Sequence, residues 1–479
     1  MLSLLLLSQA AEAAGYYYLD MGTRGSARAG AFVASADDIS AQYYNPAALI
    51  RLNDPQIYVN VSGVSQTGQF QRIDYDDNGN VSETFDQVEN QDSAFAIPAV
   101  GFASRFGLPN TVFAFGLYTP FAPSSLYPQD GPQRYSLIDS LIWQVYTGPS
   151  VSHRFNDWLS VGVGLNWTLF RAEQELTIST CDPSADSEVC EENPEQYDVD
   201  VAVTMWDLAR FSWNAGVLIE PVEWLAIGAS VIPPVNVNGG GSMSADFGEA
   251  HYLVETVPIL TDSTFTDDDI RVQLTVPWVF RLGAAVYPTD ALEIELTGVY
   301  QTWSVTEQIV VTDVDLALGL DEENFFVQTL ELEEIVIEDD IELLAGFRDA
   351  WSLRLGGEYT IRDGLQARGG VAYETSAIPT ASLSVSQIDA PKIIYGLGAT
   401  YVYNDRIGVD VGFSQTFLQQ QDITTSDARQ IAIPLFPLDI SNDFENLDIE
   451  EGPVVGNGRY TSMNMYLSAG LTYYFKGKR

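Results

Sequence analysis

The sequence contains few basic residues and few of the side chains that carry catalysis or bind metals. Its 479 residues include 22 Lys+Arg against 66 Asp+Glu, a formal net charge of −44, and its only lysines are Lys392, Lys476 and Lys478. This imbalance excludes a nucleic-acid-binding protein, because phosphates need cationic partners. The only histidines, His153 and His251, lie in no catalytic motif. We therefore expect no enzyme, no metal site and no cofactor.

Long apolar runs are also missing. No stretch approaches the roughly 18 apolar residues of a membrane-spanning helix. A disordered acidic chain is excluded as well, because 46% of the residues are hydrophobic and 12% are aromatic. Glycine is frequent, with 38 residues, beside 24 tyrosines and 23 phenylalanines. A chain rich in glycine and aromatic residues but without long apolar runs is typical of a membrane β-barrel.

Apolar residues recur with a period of two after about residue 54. In residues 159–170 they alternate with small or polar side chains, as expected of a strand that separates lipid from a lumen. Residues 272–286 and 351–361 repeat the pattern. In the first of these two stretches, the residues predicted to share one apolar face are Leu274, Val276, Trp278, Phe280 and Leu282.

The connections predict a closed barrel. We count fourteen strand candidates, which start near residues 55, 94, 111, 138, 158, 197, 224, 271, 291, 350, 364, 392, 406 and 460. Every second connection is a tight turn rich in Pro, Gly, Asn and Asp, and the intervening connections are long and acidic. Short turns on one rim and long loops on the other predict an all-β membrane protein, a 14-stranded antiparallel outer-membrane barrel over residues 54–479. Both termini then lie on the periplasmic side.

The beginning of the chain predicts export. Residues 2–7 form a short apolar core, and residues 11–13 (AEA) form a cleavage pattern, so we expect residues 1–13 to be a signal peptide. The usual basic segment is missing, which leaves the true start of this peptide open. The only cysteines, Cys181 and Cys190, lie in an acidic loop, and an oxidising compartment favours a disulfide between them.

Residues 14–53 are small, rich in Gly and Ala, and do not alternate like a strand. A segment that precedes a complete barrel either hangs in the periplasm or plugs the lumen. A barrel of this size has an interior too wide to be filled by its own side chains. A plug is therefore physically favoured.

Several motifs resemble one known family. Residues 25–30 (GSARAG), 36–38 (ADD) and 44–47 (YNPA) are similar to the N-terminal hatch of the outer-membrane long-chain fatty-acid and aromatic-hydrocarbon transporters of the FadL/TodX type. The resemblance continues through residues 283–290 (GAAVYPTD) and 368–379 (RGGVAYETSAIP) and covers nearly the whole chain from Ala14 to Phe475. It identifies Asn45, Pro46 and Ala47 as the hatch motif.

This resemblance implies passive uptake of hydrophobic compounds, such as long-chain fatty acids or hydrocarbons, across the bacterial outer membrane. As in that family, the ligand is expected to enter an apolar groove among the outer loops, pass to a pocket above the hatch and leave sideways through the barrel wall. The transfer of an apolar ligand out of water is favourable by roughly 0.8 kcal/mol of free energy per methylene. The alternatives are a general diffusion porin, a structural or adhesive barrel, and a barrel enzyme.

The resemblance also suggests where the lateral opening and the ligand groove lie. By position, Thr119 and Pro120 match the family's kinked third strand, since proline cannot donate to a ladder. The alternative is that Pro120 simply ends the strand. The candidate groove residues are Phe121, Leu126, Tyr127 and Tyr135, for which packing within the loop is the alternative.

Charged residues provide further candidates. Strand parity places Arg281, Arg354 and Arg368 in the lumen, where they are candidate partners of a ligand carboxylate, since arginine binds carboxylates with two hydrogen bonds. The alternative is ion pairing within the protein, for which Glu293, Glu295, Glu358, Glu374 and Asp410 are available.

The acidic outer loops are either a solvated surface or a site for divalent cations that bridge them to lipid headgroups. We expect the partners to be a hydrophobic small molecule, outer-membrane lipid and lipopolysaccharide, and we expect the protein to act as a monomer.

Overall fold

A computed structural model describes residues 20–76, 78–182, 196–306, 308–330, 335–337, 341–344, 346–386, 388–436 and 450–475. Within these ranges fourteen antiparallel strands form a closed barrel. They are β1 (Gln56–Tyr75), β2 (Phe95–Ser104), β3 (Thr111–Phe121), β4 (Asp139–Asn156), β5 (Leu159–Cys181), β6 (Asp198–Val222), β7 (Leu225–Ile232 and Val235–Asp246), β8 (Thr264–Val276 and Val279–Thr289), β9 (Leu292–Gln301), β10 (Ala350–Arg362), β11 (Leu365–Glu374), β12 (Lys392–Tyr403), β13 (Ile407–Leu418) and β14 (Gly458–Tyr474).

The barrel closes where β14 meets β1. Their register runs from Gln56 opposite Tyr474 to Arg72 opposite Gly458, and β14 pairs with β13 on its other side. Closure removes the free sheet edges that could not be hydrogen-bonded in lipid. The predicted fold class and strand number are therefore confirmed. The predicted and observed first residues of the strands differ most at β8, which begins at Thr264 instead of near residue 271.

The alternation places apolar residues outside and small or polar residues inside. In β1, Ile57, Val59 and Val61 are exposed on the outer surface, while Tyr58 and Asn60 are buried in the lumen. Periodicity of two therefore encodes a wall between lipid and lumen in this part of the chain.

The predicted common face in residues 272–286 is wrong for its first two members. Leu274 and Val276 are buried in the lumen, whereas Phe280 and Leu282 face outward. Pro277 and Trp278 interrupt β8 at this point, between Val276 and Val279. An interruption of the pleat reverses the side-chain parity, and an alternation count cannot detect it.

Short helices and strands accompany the barrel, in residues 20–53 and in the long loops. The helices are α1 (Gly22–Ala27), α2 (Ala41–Tyr44), α3 (Tyr252–Glu255) and α4 (Phe325–Leu330), and the 3₁₀ helices are Pro46–Arg51, Trp303–Val305 and Thr380–Ser382. The short strands are Val81–Thr84, Val88–Glu89, Ser124–Leu126, Gln308–Thr312, Leu316–Leu318, Ile335–Ile337, Ile341–Leu344, Gln421–Ile423, Arg429–Phe436 and Glu450–Val454. No helix in the described part of the chain is long and apolar enough to cross a membrane.

Residues 20–53, which we call the hatch segment, lie inside the barrel. Almost all of their side chains are buried, and their backbone touches inward-facing glycines of the wall. Gly162 of β5 faces the Pro46 carbonyl and Gly396 of β12 faces the Ser26 carbonyl, and neither position leaves room for a Cβ atom. The predicted signal peptide, residues 1–13, lies outside the described residues, so the domain boundaries stay a prediction.

Candidate functional site

The hatch motif docks on the wall through the side chain of Asn45. Its amide nitrogen donates to the carbonyl oxygens of Val33 and Val217, both at 3.0 Å, and its Oδ1 accepts from the Ala47 N–H at 3.1 Å. Asn45 thereby caps the 3₁₀ helix Pro46–Arg51 and joins the hatch segment to β6. The Ser152 hydroxyl of β4 donates to the Ala47 carbonyl at 2.7 Å. The motif thus anchors the segment to the barrel.

A second anchor is the carboxylate of Glu295, which lies on β9 and is fully buried. It accepts hydrogen bonds from the backbone N–H groups of Val33, Ala34 and Ser35 at 2.6, 3.0 and 2.9 Å. The Ser35 hydroxyl adds a fourth bond at 2.5 Å. Three consecutive N–H groups around one carboxylate form an anion nest of the kind that fixes a loop in one conformation.

Hatch arginines pair with carboxylates of the wall. Arg24 lies 3.0 Å from Asp410 of β13 and 2.8 Å from Asp37, and Arg28 lies 2.5 Å from Glu293 of β9. Burial of these charges is tolerated because each one is compensated. The ion pairs make the position of the segment inside the barrel specific.

The three predicted lumen arginines are buried, and carboxylates lie within ion-pair distance of Arg354 and Arg368. Arg354 contacts Asp20 at 2.5 Å and Glu374 at 2.9 Å, and Arg368 contacts Glu358 at 2.6 Å. The Arg281 guanidinium stacks 4.5 Å from the ring centroid of Tyr43. These contacts agree with ion pairing within the protein, the alternative given above, and a role for the arginines in ligand binding stays a prediction.

The wall is interrupted between β2 and β3 near Thr119 and Pro120. Their register begins at Ser104 opposite Phe113 and ends at Val100 opposite Leu117. Above that level, residues 95–99 pair with β1 only, and β3 shifts register against β4 between Tyr118 and Phe121. We call residues 95–99 and 118–121 the β2–β3 opening.

The β2–β3 opening has a defined floor and roof. Its floor is a cavity of about 20 Å³ beside the hatch segment, with Met21, Ile39 and Tyr43 among its lining residues. Its roof is a polar cluster in which the Ser124 hydroxyl donates to Asp92 and the Ser124 N–H donates to Gln66. Contacts of the hatch segment and of this polar cluster therefore bound the unpaired stretch on both sides, and its role as a lateral opening stays a prediction.

The predicted groove residues have separate environments. Leu126 is exposed, whereas Tyr127 is buried beside Gly68 of β1. The Tyr135 hydroxyl donates to Asp198 at 3.1 Å and accepts a bond from Arg134 at 2.6 Å. The side chain of Phe121 lies outside the described residues. A single groove built from all four residues stays a prediction.

An apolar cavity of about 110 Å³ lies in the lumen of the outer half of the barrel. Its lining residues come mainly from β5 to β8 and are almost all aliphatic, aromatic or methionine: Ile142, Phe170, Ala172, Gln174, Leu176, Ile178, Val201, Val203, Met205, Met243, Val272, Leu274, Ile309, Val311 and Ile431. Largely apolar walls with few polar groups are typical of small-molecule sites.

The strand Arg429–Phe436 of the last long loop crosses to the far side of the barrel. It pairs in parallel with the end of β5, with Ala432 opposite Ser179, and Ile431 lines the apolar cavity. The Tyr252 hydroxyl of α3 donates to the Leu435 carbonyl at 2.8 Å. This strand therefore roofs the cavity.

The sequence analysis missed the apolar cavity, although a signal for it exists. Along β5, the inward positions are polar or small up to Thr168 and then change to Phe170, Ala172 and Leu176. A largely apolar inward face in this part of the strand marks a dry region of the lumen.

Two polar features lie near the outer rim. Burial alone lowers the pKa of His251 from 6.5 to about 4, and its Nε2 lies 3.0 Å from the Thr180 hydroxyl. Burial also raises the pKa of Asp389, which forms an ion pair with Lys392. Cys181 ends β5, but Cys190 lies outside the described residues, so the disulfide stays a prediction. The described residues contain no group of three His, Cys, Asp or Glu placed to hold a metal ion.

Comparison with known proteins gives consistent results. The family model for the outer membrane protein transport protein family (OMPP1/FadL/TodX) matches residues 4–444. The chain is 23% identical over 437 residues to the long-chain fatty acid transport protein of Escherichia coli (strain K12), which covers 85% of this chain and 89% of that protein. It is 27% identical over 176 residues to alkane uptake protein A of Marinobacter nauticus, covering 34% of this chain and 37% of that protein.

The comparison of the fold with solved structures gives a consistent result. The crystal structure of a Pseudomonas aeruginosa FadL homologue superposes with a TM-score of 0.73 at 16% sequence identity, over 96% of this chain and 100% of that chain. At this identity the superposition shows the barrel fold alone. Because the family model matches most of the sequence, the chain belongs to the OMPP1/FadL/TodX family of outer-membrane transport proteins.

Proposed function

We propose that this barrel takes up hydrophobic compounds, long-chain fatty acids or hydrocarbons, passively across the outer membrane. The observation that carries the proposal is the apolar cavity of about 110 Å³ inside the lumen. Such a cavity does not stabilise a hydrophilic solute. An apolar ligand, in contrast, is stabilised there by roughly 0.8 kcal/mol of transfer free energy for each methylene that it buries. Relatives named for fatty-acid transport and alkane uptake support the same substrate class.

In this proposal the hatch segment closes the lumen toward the periplasm. Asn45 and Glu295 hold it against the wall, and the Asn45-Pro46-Ala47 motif supports the floor under the cavity. A ligand that cannot pass straight through leaves sideways through the β2–β3 opening into the membrane. No energy input is needed, because the ligand moves from one apolar environment to another.

In the proposal, the lumen arginines add a specificity for carboxylates. In the proposal, a fatty acid headgroup competes with Asp20 or Glu374 for Arg354, since all of these groups are carboxylates. A hydrocarbon lacks this interaction. The exposed outer strand faces contact membrane lipid and lipopolysaccharide, and closure of β14 on β1 within one chain supports a monomer.

Permeation through the purified protein in liposomes tests the proposal. We expect labelled fatty acid or alkane to pass and sugars of similar mass to be excluded, and mass spectrometry of the folded barrel to detect copurified lipid-like ligands. Free passage of sugars would instead support a general diffusion porin. Exclusion of both solutes, with no bound ligand, would support a structural or adhesive barrel.

A further inference from the structure

The barrel wall is interrupted a second time, between β6 and β7. Starting from the short turn between the two strands, their backbone hydrogen-bond ladder ends at Val231 opposite Ala215. It resumes at Gly240 opposite Trp206. The structure describes residues 207–214 and 232–239 in full and pairs none of them across the two strands. The same number of residues is skipped on each side, so the strands separate and rejoin in unchanged register. We call these two stretches the β6–β7 seam.

Three neighbouring strands change their pleat at the level of the seam. β6 shifts register against β5 between the pairs Thr168–Arg210 and Phe170–Asp207. β7 is interrupted at Pro233 and Pro234, and β8 at Pro277 and Trp278. Prolines cannot donate to a ladder, and an extra residue bends a strand away from its neighbour. The separation of β6 from β7 is therefore encoded in the sequence of all three strands.

Side chains replace the missing backbone bonds at one point of the seam. The Asp207 carboxylate accepts from the Asn238 N–H at 2.9 Å, and the Arg210 guanidinium donates to the Asn238 carbonyl at 2.9 Å. Asp207 and Arg210 also form an ion pair with each other at 2.5 Å. Side-chain bonds can break and re-form by rotamer changes, whereas a backbone ladder opens only by unfolding the strand.

The seam connects two apolar environments. On the inside, Met205 lines the apolar cavity, and its methyl group contacts Gly239, where a Cβ atom would come within 2.6 Å. On the outside, the exposed residues of β6 at this level are Leu208, Phe211 and Trp213. Methionine is flexible, so its movement away from Gly239 requires no backbone change. Met205 lies on the cavity side of the seam, and the Asp207–Arg210 pair bridges its two strands.

The seam begins about as many residues from the short-turn rim as the β2–β3 opening does. Leu117, the last paired residue of β3, is as far from the start of its strand at Thr111 as Val231 is from Leu225 in β7. The hatch segment supports the wall directly below the seam, because Asn45 donates to Val217 of β6. The two interruptions therefore share one floor on different sides of the barrel.

We propose that the β6–β7 seam is a second lateral opening, through which apolar ligands pass between the lumen cavity and the membrane. This inference rests on the proposed uptake of hydrophobic compounds. The Asp207–Arg210 pair and Met205 are its gate: the first closes the backbone gap, and the second closes the cavity side. The described side chains of the β2–β3 opening include no comparable arginine clamp, so the two exits are controlled separately.

A crosslink across the seam tests the inference. Leu208→Cys with Asn238→Cys places two thiols at facing positions of the continued register, both directed outward. The control is Trp206→Cys with Gly240→Cys, an outward-facing pair just above the seam that is already paired. Uptake of a labelled long-chain fatty acid and of a labelled alkane is measured in cells before and after reduction of the crosslink.

We expect the seam crosslink to slow uptake several-fold and reduction to restore it, while the control crosslink has no effect. Asp207→Asn is expected to speed uptake, since it weakens the clamp without closing the gap. Equal uptake with and without the seam crosslink, in cells whose wild-type protein does transport the probe, overturns the second opening. Absence of uptake by the wild-type protein instead contradicts the proposed function itself.

Discussion

The Glu295 carboxylate accepts a hydrogen bond from the Val33 N–H at 2.6 Å and so joins the middle of the barrel wall to the hatch segment. Further bonds from Ala34 and Ser35 complete the site. A single side chain of β9 therefore satisfies three backbone groups that have no partner in a helix or sheet. This anchor and the two wall interruptions suggest the following experiments.

Replacement of Glu295 by Ala should loosen the hatch segment but leave the barrel closed. Each buried N–H group that loses its acceptor costs about 1–3 kcal/mol. We expect larger and noisier ion conductance in planar bilayers, together with the normal heat-dependent gel mobility of a folded barrel. Asp290→Asn, in the exposed turn before the same strand, is the control and should behave like wild type. Unchanged conductance of the Glu295 variant would show that the anchor does not hold the segment.

Deletion of residues 20–53 should leave a barrel that conducts ions far better than the full chain. The wall closes through β14 and β1 without the segment, while the segment is buried inside the lumen. Single-channel recording in planar bilayers measures the difference. If a folded deletion variant conducts no more than wild type, residues 20–53 are not the plug.

A disulfide between Pro98→Cys and Thr119→Cys should close the β2–β3 opening. Residue 98 is exposed above the last β2–β3 pair, and Thr119 lies at the facing position of the continued register. We expect uptake of labelled fatty acid to fall and ligand binding to remain. Normal uptake with a quantitatively formed crosslink would argue against release at this point. Val100→Cys with Leu117→Cys, already paired, is the control.

Filling the apolar cavity should weaken ligand binding. Leu274→Trp inserts a larger side chain into the space that the ligand would fill, and a loss of about 1–3 kcal/mol, typical of overpacking, corresponds to roughly 5- to 140-fold in affinity. Leu282→Trp lies on the outer face of the same strand and is the matched control. Binding of a fluorescent fatty acid measures the effect. Equal affinity of both variants would place the ligand elsewhere.

Acidification should loosen the outer loop around His251. Burial lowers the pKa of His251 to about 4 from 6.5, so the unfolded loop binds more protons than the packed loop between these values. The packing is therefore most stable above pH 6.5 and loses on the order of 3 kcal/mol as the pH falls toward 4. Hydrogen-exchange protection of residues 247–257 measures the loss.

His251→Gln should abolish the pH dependence of this protection, since glutamine does not titrate. His153→Gln, at the other rim and exposed, should retain it. The same loss of protection in wild type and His251→Gln would assign the effect to another group.

The sequence by itself determined the barrel. The alternation of side chains, the short turns and the long loops predict fourteen strands, because a strand with lipid on one side and a lumen on the other must alternate. The motif around Asn45 also indicated the family, since it is contiguous in the chain. These features are local, and each can be detected in a few neighbouring residues.

Only the tertiary structure decided what the inward face does. The Glu295 anchor, the partners of Arg354 and the apolar cavity each combine residues that are far apart in the chain, so no local pattern identifies them. The seam shows the same limit: Pro233-Pro234 and Pro277 are visible in the sequence, but the parity change that they cause depends on how three strands bend together. Alternation records which residues differ from their neighbours, whereas packing in the closed barrel determines which of them face the lumen.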